Sequence, residues 1–255
     1  MMANATNQSN KEIPALETFR LSKIFPPGVL AVNRLNLKIR QGVVHALVGP
    51  NGAGKTTTLR LIAGLSRPNR GSIFIMGYDM LRESWQAKIN LGFLPDAPAA
   101  YETLRVDEFL SFIGSLYQVP EEEFQQRRLE YINRFEIGGF LNKYLGELSR
   151  GMLQRTLLAG LLIRNPKVLL MDEPLYGLDP EGGYVLKQVI RELAENGSTV
   201  LLSTHILSVA EEVSDEFTIL SNGVKVASGT VQELRAEVGG GVALENYYIQ
   251  TLRGR

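Results

Sequence analysis

Residues 49–56 read GPNGAGKT and fit the pattern G-x-x-x-x-G-K-[ST]. Glycines in such a loop let successive backbone N–H groups converge on phosphate oxygens. Lys55 would neutralise the terminal phosphates, and the Thr56 hydroxyl would ligate Mg²⁺. The motif lies between the apolar run VVHALV and the helical pattern TTTLRLIAGL, the setting that a phosphate loop requires. The alternative is an incidental turn, which this setting disfavours.

Two adjacent carboxylates end the apolar run VLLMDEP at residues 168–174. Ligands of parallel sheets collect at the carboxyl ends of the strands, so Asp172 would face a metal ion beside the phosphate loop. Glu173, one residue further, would reach a water in line with the γ-phosphate. The alternative is a pair of solvated carboxylates with no role in chemistry.

Two histidines occur in the chain, and they receive different interpretations. His205 ends the segment STH directly after a buried run, at the same predicted sheet edge as Asp172. This position favours a contact with the γ-phosphate over ordinary packing. His45 lies inside a predicted strand and is interpreted as structural.

The segment ELSRGMLQR, residues 147–155, contains no nucleophile and no general base. Ser149 is in the position of a helix N-cap, and Gly151 lets a ligand approach the backbone closely. A free helix N-terminus with a serine is a ready anion site. The phosphate loop lies far earlier in the chain, so the segment alone leaves open which anion binds.

The side chains of these motifs must be positioned by strands and helices, which the sequence patterns predict. Apolar and polar residues alternate in ETFRLSKIF and LAVNRLNLKI, and this alternation predicts half-buried antiparallel strands. Continuous apolar runs in KVLLMDE and TVLLSTH predict strands buried on both faces of a parallel sheet, with a helix over GGYVLKQVIRELAEN between them. A helical pattern covers about 106–135 with a break at Pro120, and Asn222-Gly223 predicts a hairpin turn. Together they predict a three-layer α/β core with an antiparallel β segment and a helical insert.

Composition excludes several classes of function. The 255 residues include 27 basic and 27 acidic side chains, so there is no basic excess for nucleic acid, and we expect no such partner. The chain has no cysteine, which excludes disulfides and cysteine-ligated metals. The longest apolar run, residues 156–163, is far shorter than the ~20 residues that span a bilayer. Residues 1–14 are predicted to be a disordered tail without a secretory signal.

The ordered motifs GPNGAGKT, LSRGMLQR, VLLMDEP, GLDP and STH resemble those of the nucleotide-binding subunit of an ATP-binding cassette (ABC) transporter. The resemblance extends over nearly the whole chain after about residue 15. It implies an α/β fold with a P-loop NTPase (RecA-like) core, an antiparallel β subdomain and a helical insert, the ABC ATPase architecture. The implied boundaries are an ATPase domain at 15–238, a helical subdomain at about 97–160 and a C-terminal extension at 239–255.

The resemblance also implies ATP and Mg²⁺ as cofactors and a role for each motif. Glu173 would be the catalytic base, His205 the switch histidine and Lys55 a catalytic cation. The residues implied to contact Mg²⁺ are Thr56, Asp172 and Asp96. The implied ATP contacts within the chain are Phe25, on which adenine would stack, and Gly49, Pro50, Asn51, Gly52, Ala53, Gly54, Lys55, Thr56 and Thr57.

The family packs two such domains head to tail, so each signature helix points at the ATP of the other chain. By this resemblance, Ser149, Gly151 and Asp179 would contact ATP held by a second ATPase subunit. Bound ATP with Mg²⁺ retains about −2 charge and a helix N-terminus supplies roughly +0.5, so the triphosphate would join two surfaces. Hydrolysis would remove the bridging phosphate, and the homo- or heterodimer would loosen.

Three departures from the family pattern stand out. Arg150 and Met152 give LSRGM where L-S-G-G-Q is common, which resembles some bacterial exporter-type subunits. Asp96 replaces a usual glutamine that touches Mg²⁺ and senses the membrane partner, which leaves direct contact and contact through a water as alternatives. Leu175 and Tyr176 stand where small polar residues are usual.

Our leading expectation is an ATPase that dimerises on ATP and drives a separate integral membrane permease, in the manner of bacterial ABC-2-type exporters. It would be cytoplasmic and peripheral on the inner face of the cell membrane, and residues 96–103 would receive a coupling helix of the permease. A solvated loop is the alternative for that segment. For the whole chain, the alternatives are a soluble ABC-type ATPase in a non-transport assembly and an ATP-dependent switch.

Overall fold

The computed structural model describes residues 13–96, 101–176 and 178–237. The predicted C-terminal extension at 239–255, most of the predicted tail and residues 97–100 of the predicted docking segment lie outside these ranges. Ten strands occur in the described part of the chain: β1 (Leu16–Phe25), β2 (Val29–Ile39), β3 (Val44–Val48), β4 (Arg70–Ile75), β5 (Tyr78–Asp79), β6 (Leu91–Leu94), β7 (Val168–Asp172), β8 (Thr199–Thr204), β9 (Glu216–Ser221) and β10 (Val224–Thr230).

Eight α-helices occur in the same ranges, and two single 3₁₀ turns precede the fifth. The helices are α1 (Lys55–Ile62), α2 (Ser84–Ile89), α3 (Val106–Leu116), α4 (Glu121–Arg134), α5 (Arg150–Ile163), α6 (Pro180–Glu195), α7 (Leu207–Val213) and α8 (Val231–Glu237). None of them, within the described ranges, is both long and apolar enough to cross a bilayer.

The central sheet has six strands in the order β10-β9-β3-β8-β7-β6. The pairs β3–β8, β3–β9, β7–β8 and β6–β7 are all parallel, and only the β9–β10 edge is antiparallel. Every residue of β3, β7 and β8 is buried, as expected for strands covered on both faces. The predicted parallel core is confirmed, and the carboxyl ends of β3, β8 and β7 lie side by side.

A second sheet, with strand order β2-β1-β4-β5, is antiparallel throughout. The predicted β9–β10 hairpin joins it to the central sheet, because Asn33 N–H donates to Gly223 O at 2.8 Å. Asn222 and Gly223 have φ of 48° and 76°, the left-handed conformation that the two-residue hairpin turn requires. The antiparallel subdomain and the β9–β10 hairpin turn are therefore confirmed.

Helices α3, α4 and α5 lie between β6 and β7 in the chain. The predicted break between α3 and α4 is confirmed, with Pro120 in the N-cap position of α4. Gly160 of α5 allows close packing, since a Cβ there would lie 2.7 Å from a ring carbon of Phe109 on α3. The boundaries proposed for this helical subdomain, about 97–160, stay a prediction.

Helix α6 begins two residues before the predicted start at Gly182. The Asp179 side chain caps it by accepting the Gly182 N–H at 2.8 Å, and Pro180 occupies the first turn. Proline suits that position because its fixed φ matches a helix, and because the N–H that it lacks would have no partner within the helix. The aspartate of GLDP is thus a helix cap in addition to its predicted interface role.

Candidate functional site

The phosphate loop connects the end of β3 to the start of α1. Gly52 and Gly54 have φ of 80° and 100°, which only glycine adopts at little cost. A Cβ at Gly49 would lie 2.4 Å from the Leu220 carbonyl oxygen, and one at Gly54 would lie 2.3 Å from the Ala31 oxygen. The glycines are therefore required by the backbone path and by neighbouring carbonyls before any ligand is considered.

Lys55 opens helix α1 and is almost completely buried. Its Nζ donates to Gly49 O at 2.8 Å and to Pro50 O at 3.3 Å, so the side chain folds back across the loop. The α1 N-cap residue, Gly54, offers no side-chain acceptor. The N–H groups of the first turn and the ammonium therefore converge on one region, which suits a phosphate group.

The carboxylates at the end of β7 are organised by Ser203 of the adjacent strand β8. Asp172 pairs with Ser203 in the parallel register. The Ser203 hydroxyl donates to Asp172 Oδ1 at 2.5 Å and accepts the Glu173 N–H at 3.1 Å. Sequence reasoning gave Ser203 no role. The available signal was a hydroxyl residue on a strand whose every residue is buried.

Glu173 lies between the two basic side chains that the motifs predicted near it. Its Oε1 is 3.4 Å from Lys55 Nζ, and its Oε2 is 3.0 Å from His205 Nδ1. Its φ of 47° is a conformation that non-glycine residues rarely adopt, and such strain concentrates at functional sites. The structure thus brings Lys55, Glu173 and His205 together at one edge of the sheet.

The oxygens of Thr56 and Asp172 are the donors available for a metal ion beside this cluster. Hydroxyl and carboxylate oxygens are hard ligands that suit Mg²⁺. Within the described residues, no group of three or more His, Cys, Asp or Glu side chains could hold a metal by itself. Mg²⁺ takes few protein ligands and completes its octahedron with waters and substrate phosphates. The contact of Thr56 and Asp172 with Mg²⁺ stays a prediction.

Ser149 and Asp179 are helix caps that are not hydrogen-bonded to the Lys55–Glu173–His205 cluster in the described structure. Ser149 is exposed and accepts the Met152 N–H of α5 at 3.3 Å. Gly151 follows in the first turn of the same helix. The N-terminus of α5 is therefore open on its outer side, as a helix that binds an anion of another molecule must be.

Phe25 ends strand β1 with 40% of its surface exposed. The Nζ of Lys23 lies 5.0 Å from the ring centroid. A half-exposed ring with a cation beside it offers a face for stacking a nucleobase, because aromatic faces are apolar and electron-rich. The predicted adenine contact stays a prediction.

In the described structure, Asp96 contacts a basic side chain, whereas the resemblance implied contact with a metal ion. Its carboxylate Oδ1 lies 2.7 Å from the Arg150 guanidinium, which also donates to the Asp96 carbonyl at 3.3 Å. The predicted contact of Asp96 with Mg²⁺ stays a prediction, and in the described structure the carboxylate is paired with Arg150.

His45 is a structural residue of the core, as predicted. It is buried on β3, with Nε2 at 2.9 Å from the Thr218 hydroxyl and Nδ1 at 3.5 Å from Glu216. The pKa of Glu216 is lowered to about 2 by the imidazole of His45 and by the guanidinium of Arg40. The Nη2 of Arg40 lies 2.7 Å from Glu216 Oε1. This cluster lies at the amino end of β3, opposite the phosphate loop.

The sequence and the fold of the chain are similar to those of known proteins that bind ATP. Residues 32–176, more than half of the chain, match the family described as ABC transporter. The chain is 37% identical over 210 residues to the daunorubicin resistance ATP-binding protein DrrA3 of Streptomyces coeruleorubidus, which covers 82% of this chain and 66% of that protein. It thus spans only about two thirds of that relative's length.

Two solved structures match the fold. The first is an ATP-binding subunit of an ABC transporter, with a TM-score of 0.88 and 32% identity over 93% of this chain and 99% of that one. The second is an ATP-binding cassette solved as a dimer in a post-hydrolysis state bound to ADP and Pi. It has a TM-score of 0.77 and 26% identity over 85% of this chain and 98% of that one.

Proposed function

The chain belongs to the ABC transporter family, and on this premise we propose that it is the ATP-hydrolysing subunit of a transporter. The observation that carries the proposal is the position of Glu173. Its carboxylate lies 3.4 Å from Lys55 Nζ and 3.0 Å from His205 Nδ1, beside a glycine-rich loop shaped for phosphates. Phosphoryl transfer needs this set: a cation, a water-positioning carboxylate and a second polar contact.

Each residue has a defined task in the proposed mechanism. The loop amides and Lys55 bind the β- and γ-phosphates, and the charge that develops during transfer is stabilised by these fixed donors. Glu173 orients the attacking water and accepts its proton, and His205 donates to the γ-phosphate. Thr56 and Asp172 would hold Mg²⁺, which neutralises phosphate charge when it is bound. Ser203 fixes Asp172 and the Glu173 backbone through its hydroxyl.

A second ATPase subunit completes the site in this proposal. Ser149, Gly151 and the N-terminus of α5 would bind the γ-phosphate held by the other chain, with Asp179 at the same interface. The exposure of Ser149 and the open first turn of α5 support this assignment. Loss of the γ-phosphate removes a contact that exists only in the closed dimer, so hydrolysis would open it.

The proposed partner is an integral membrane permease, which would place the ATPase on the inner face of the cell membrane. The name of the Streptomyces relative, a daunorubicin resistance protein, supports an exporter. The segment at 96–103 is the proposed docking site for the permease. The exposed Tyr101, whose ring packs edge-on against Phe112 at 5.7 Å, gives this site an aromatic surface.

Steady-state ATPase activity of the purified chain tests the proposal. We expect turnover that depends on Mg²⁺, and weaker nucleotide binding in Lys55→Ala, measured by titration with a fluorescent ATP analogue. Lys225→Ala, an exposed lysine of β10, is the matched control and should leave both unchanged. Tight ATP binding without any turnover would contradict the enzymatic proposal and favour an ATP-dependent switch.

A further inference from the structure

Arg150 makes three contacts at the point where helix α5 meets the carboxyl edge of the central sheet. Its guanidinium lies 2.7 Å from Asp96 Oδ1, donates to Asp96 O at 3.3 Å, and stacks over the Tyr176 ring at 5.1 Å from the centroid. The Tyr176 ring in turn packs against His205, with centroids 6.5 Å apart and planes at 63°. Arg150 and Tyr176 together thus connect Asp96 to His205.

The contacts join four separate parts of the site. Asp96 follows β6, Arg150 begins α5, Tyr176 follows β7, and His205 follows β8. His205 continues the path to Glu173 through the 3.0 Å contact described above. The predicted anion-binding end of α5 is therefore connected with the predicted catalytic base of the same chain.

A buried contact holds α5 to the same region. Gln154, one turn beyond Arg150, is buried and donates from Nε2 to Pro174 O at 2.5 Å. Pro174 directly follows Glu173 in the chain. A displacement of the α5 N-terminus would therefore affect Glu173 in two ways. Gln154 would move the backbone at Pro174, and Arg150 would move the side chains of Tyr176 and His205.

The Arg150 contacts are unlike those that stabilise a fold. The side chains of Arg150 and Asp96 are 49% and 47% exposed, and Tyr176 is 56% exposed. Exposed ion pairs contribute little to stability, because water screens the charges. Arginine is also the residue whose planar guanidinium can pair with a carboxylate and stack on an aromatic ring at once, which lysine cannot do.

We propose that Arg150 is a positioning residue for ATP hydrolysis, which acts through Asp96 and Tyr176 on His205 and Glu173. The pair with Asp96 fixes the start of α5 against the segment after β6, and the stacked Tyr176 limits the orientation of His205. This inference rests on the proposed ATPase function and names residues that set the geometry of that site. Arg150 itself contacts no substrate in this role.

Kinetics of single variants and a charge exchange test the inference in the full-length chain. Arg150→Met, Asp96→Asn and Tyr176→Leu should each lower kcat about three- to tenfold, with KM for ATP changed less than about twofold. Tyr176→Phe keeps the ring and should retain wild-type kcat. The exchange D96R/R150D restores the ion pair in reverse order but removes the stack on Tyr176, so its kcat should lie above that of D96R and of R150D alone and below that of wild type.

A second exposed ion pair provides the matched control. Arg191 on α6 lies 2.7 Å from Asp215, with side chains 39% and 43% exposed. Arg191→Met therefore removes a pair of similar length and exposure outside the proposed site, and it should leave kcat unchanged. Thermal unfolding of every variant within about 2 °C of wild type would show that a change in kcat does not reflect loss of folding.

Two outcomes would overturn the inference. A low kcat in Arg150→Met with wild-type kcat in Asp96→Asn would mean that Arg150 acts on a phosphate directly. A kcat in D96R/R150D no higher than in D96R or R150D alone would mean that the Asp96–Arg150 pair does not set the geometry of the site. Absence of turnover in the wild-type chain is a separate result, which would overturn the proposed function and this inference with it.

Discussion

Ser203→Ala is the variant that tests the organisation of the two carboxylates most sharply. Ser203 is fully buried on β8, and its hydroxyl both donates to Asp172 at 2.5 Å and accepts the Glu173 N–H at 3.1 Å. Alanine removes one oxygen and leaves the strand otherwise unchanged. Asp172 then loses a charge-assisted hydrogen bond in a position where no solvent replaces it.

The magnitude follows from the type of bond that is lost. A hydrogen bond to a charged group contributes about 1.5–3 kcal/mol, so the free energy of unfolding should fall by about 2 kcal/mol. For chains of roughly this size, 1 kcal/mol corresponds to about 2–4 °C, which predicts a fall in Tm of about 4–8 °C. Loss of a group that orients a metal ligand typically costs about 10–100-fold in metal affinity or activity.

Ser198→Ala is the matched control at the opposite end of β8. Ser198 is buried, and its hydroxyl donates to the neutral Pro166 carbonyl at 3.0 Å. Its loss should cost about 1 kcal/mol in stability and leave kcat unchanged. The assays are thermal unfolding, and ATPase rates as a function of Mg²⁺ concentration. Wild-type Mg²⁺ dependence and kcat in Ser203→Ala would refute our assignment of Ser203.

Three further predictions concern the loop, a helix cap and a pKa. Gly49→Ala should reduce stability and nucleotide binding together, because the new Cβ would lie 2.4 Å from a backbone oxygen; binding titration and thermal unfolding check this. Asp179→Ala should cost about 1 kcal/mol through loss of the α6 cap, measured by urea unfolding, whereas Asp179→Asn should cost less. The lowered pKa of Glu216, about 2 against an ordinary 4.5, stabilises the fold above pH 4.5, and this contribution is lost as the pH falls from 4.5 towards 2. The stability difference between wild type and Glu216→Gln should therefore be largest at neutral pH and shrink below pH 4.5, and a constant difference would contradict the pairing with His45 and Arg40.

Local patterns were sufficient to predict the core elements of the fold. The glycines and lysine of the phosphate loop, the doubly buried runs of β7 and β8, and the Asn222-Gly223 turn each depend on short-range chemistry. The rule that ligands gather at the carboxyl ends of parallel strands then predicted that Glu173 and His205 would lie together. The structure places them 3.0 Å apart.

Contacts across the sheet and between distant segments could not be predicted in the same way. The role of Ser203 depends on the β7–β8 register, and a shift by one residue would turn its hydroxyl to the other face. The pairing of Asp96 with Arg150 joins residues 54 positions apart through two exposed side chains, for which no periodic pattern exists. The sequence predicts a start of α6 at Gly182, two residues late, because Gly182 and Gly183 disfavour a helix, whereas the Asp179 side chain caps the helix from before them.

In the proposed mechanism, one triphosphate is held by two ATPase subunits at once. Sedimentation velocity of Glu173→Gln, which should bind ATP without hydrolysing it, is the measurement that tests this. We predict a dimer with ATP and Mg²⁺, a monomer with ADP, and loss of the ATP-bound dimer when Ser149→Ala is added. A Glu173→Gln chain that binds ATP yet stays monomeric at saturating nucleotide and high protein concentration would contradict the claim.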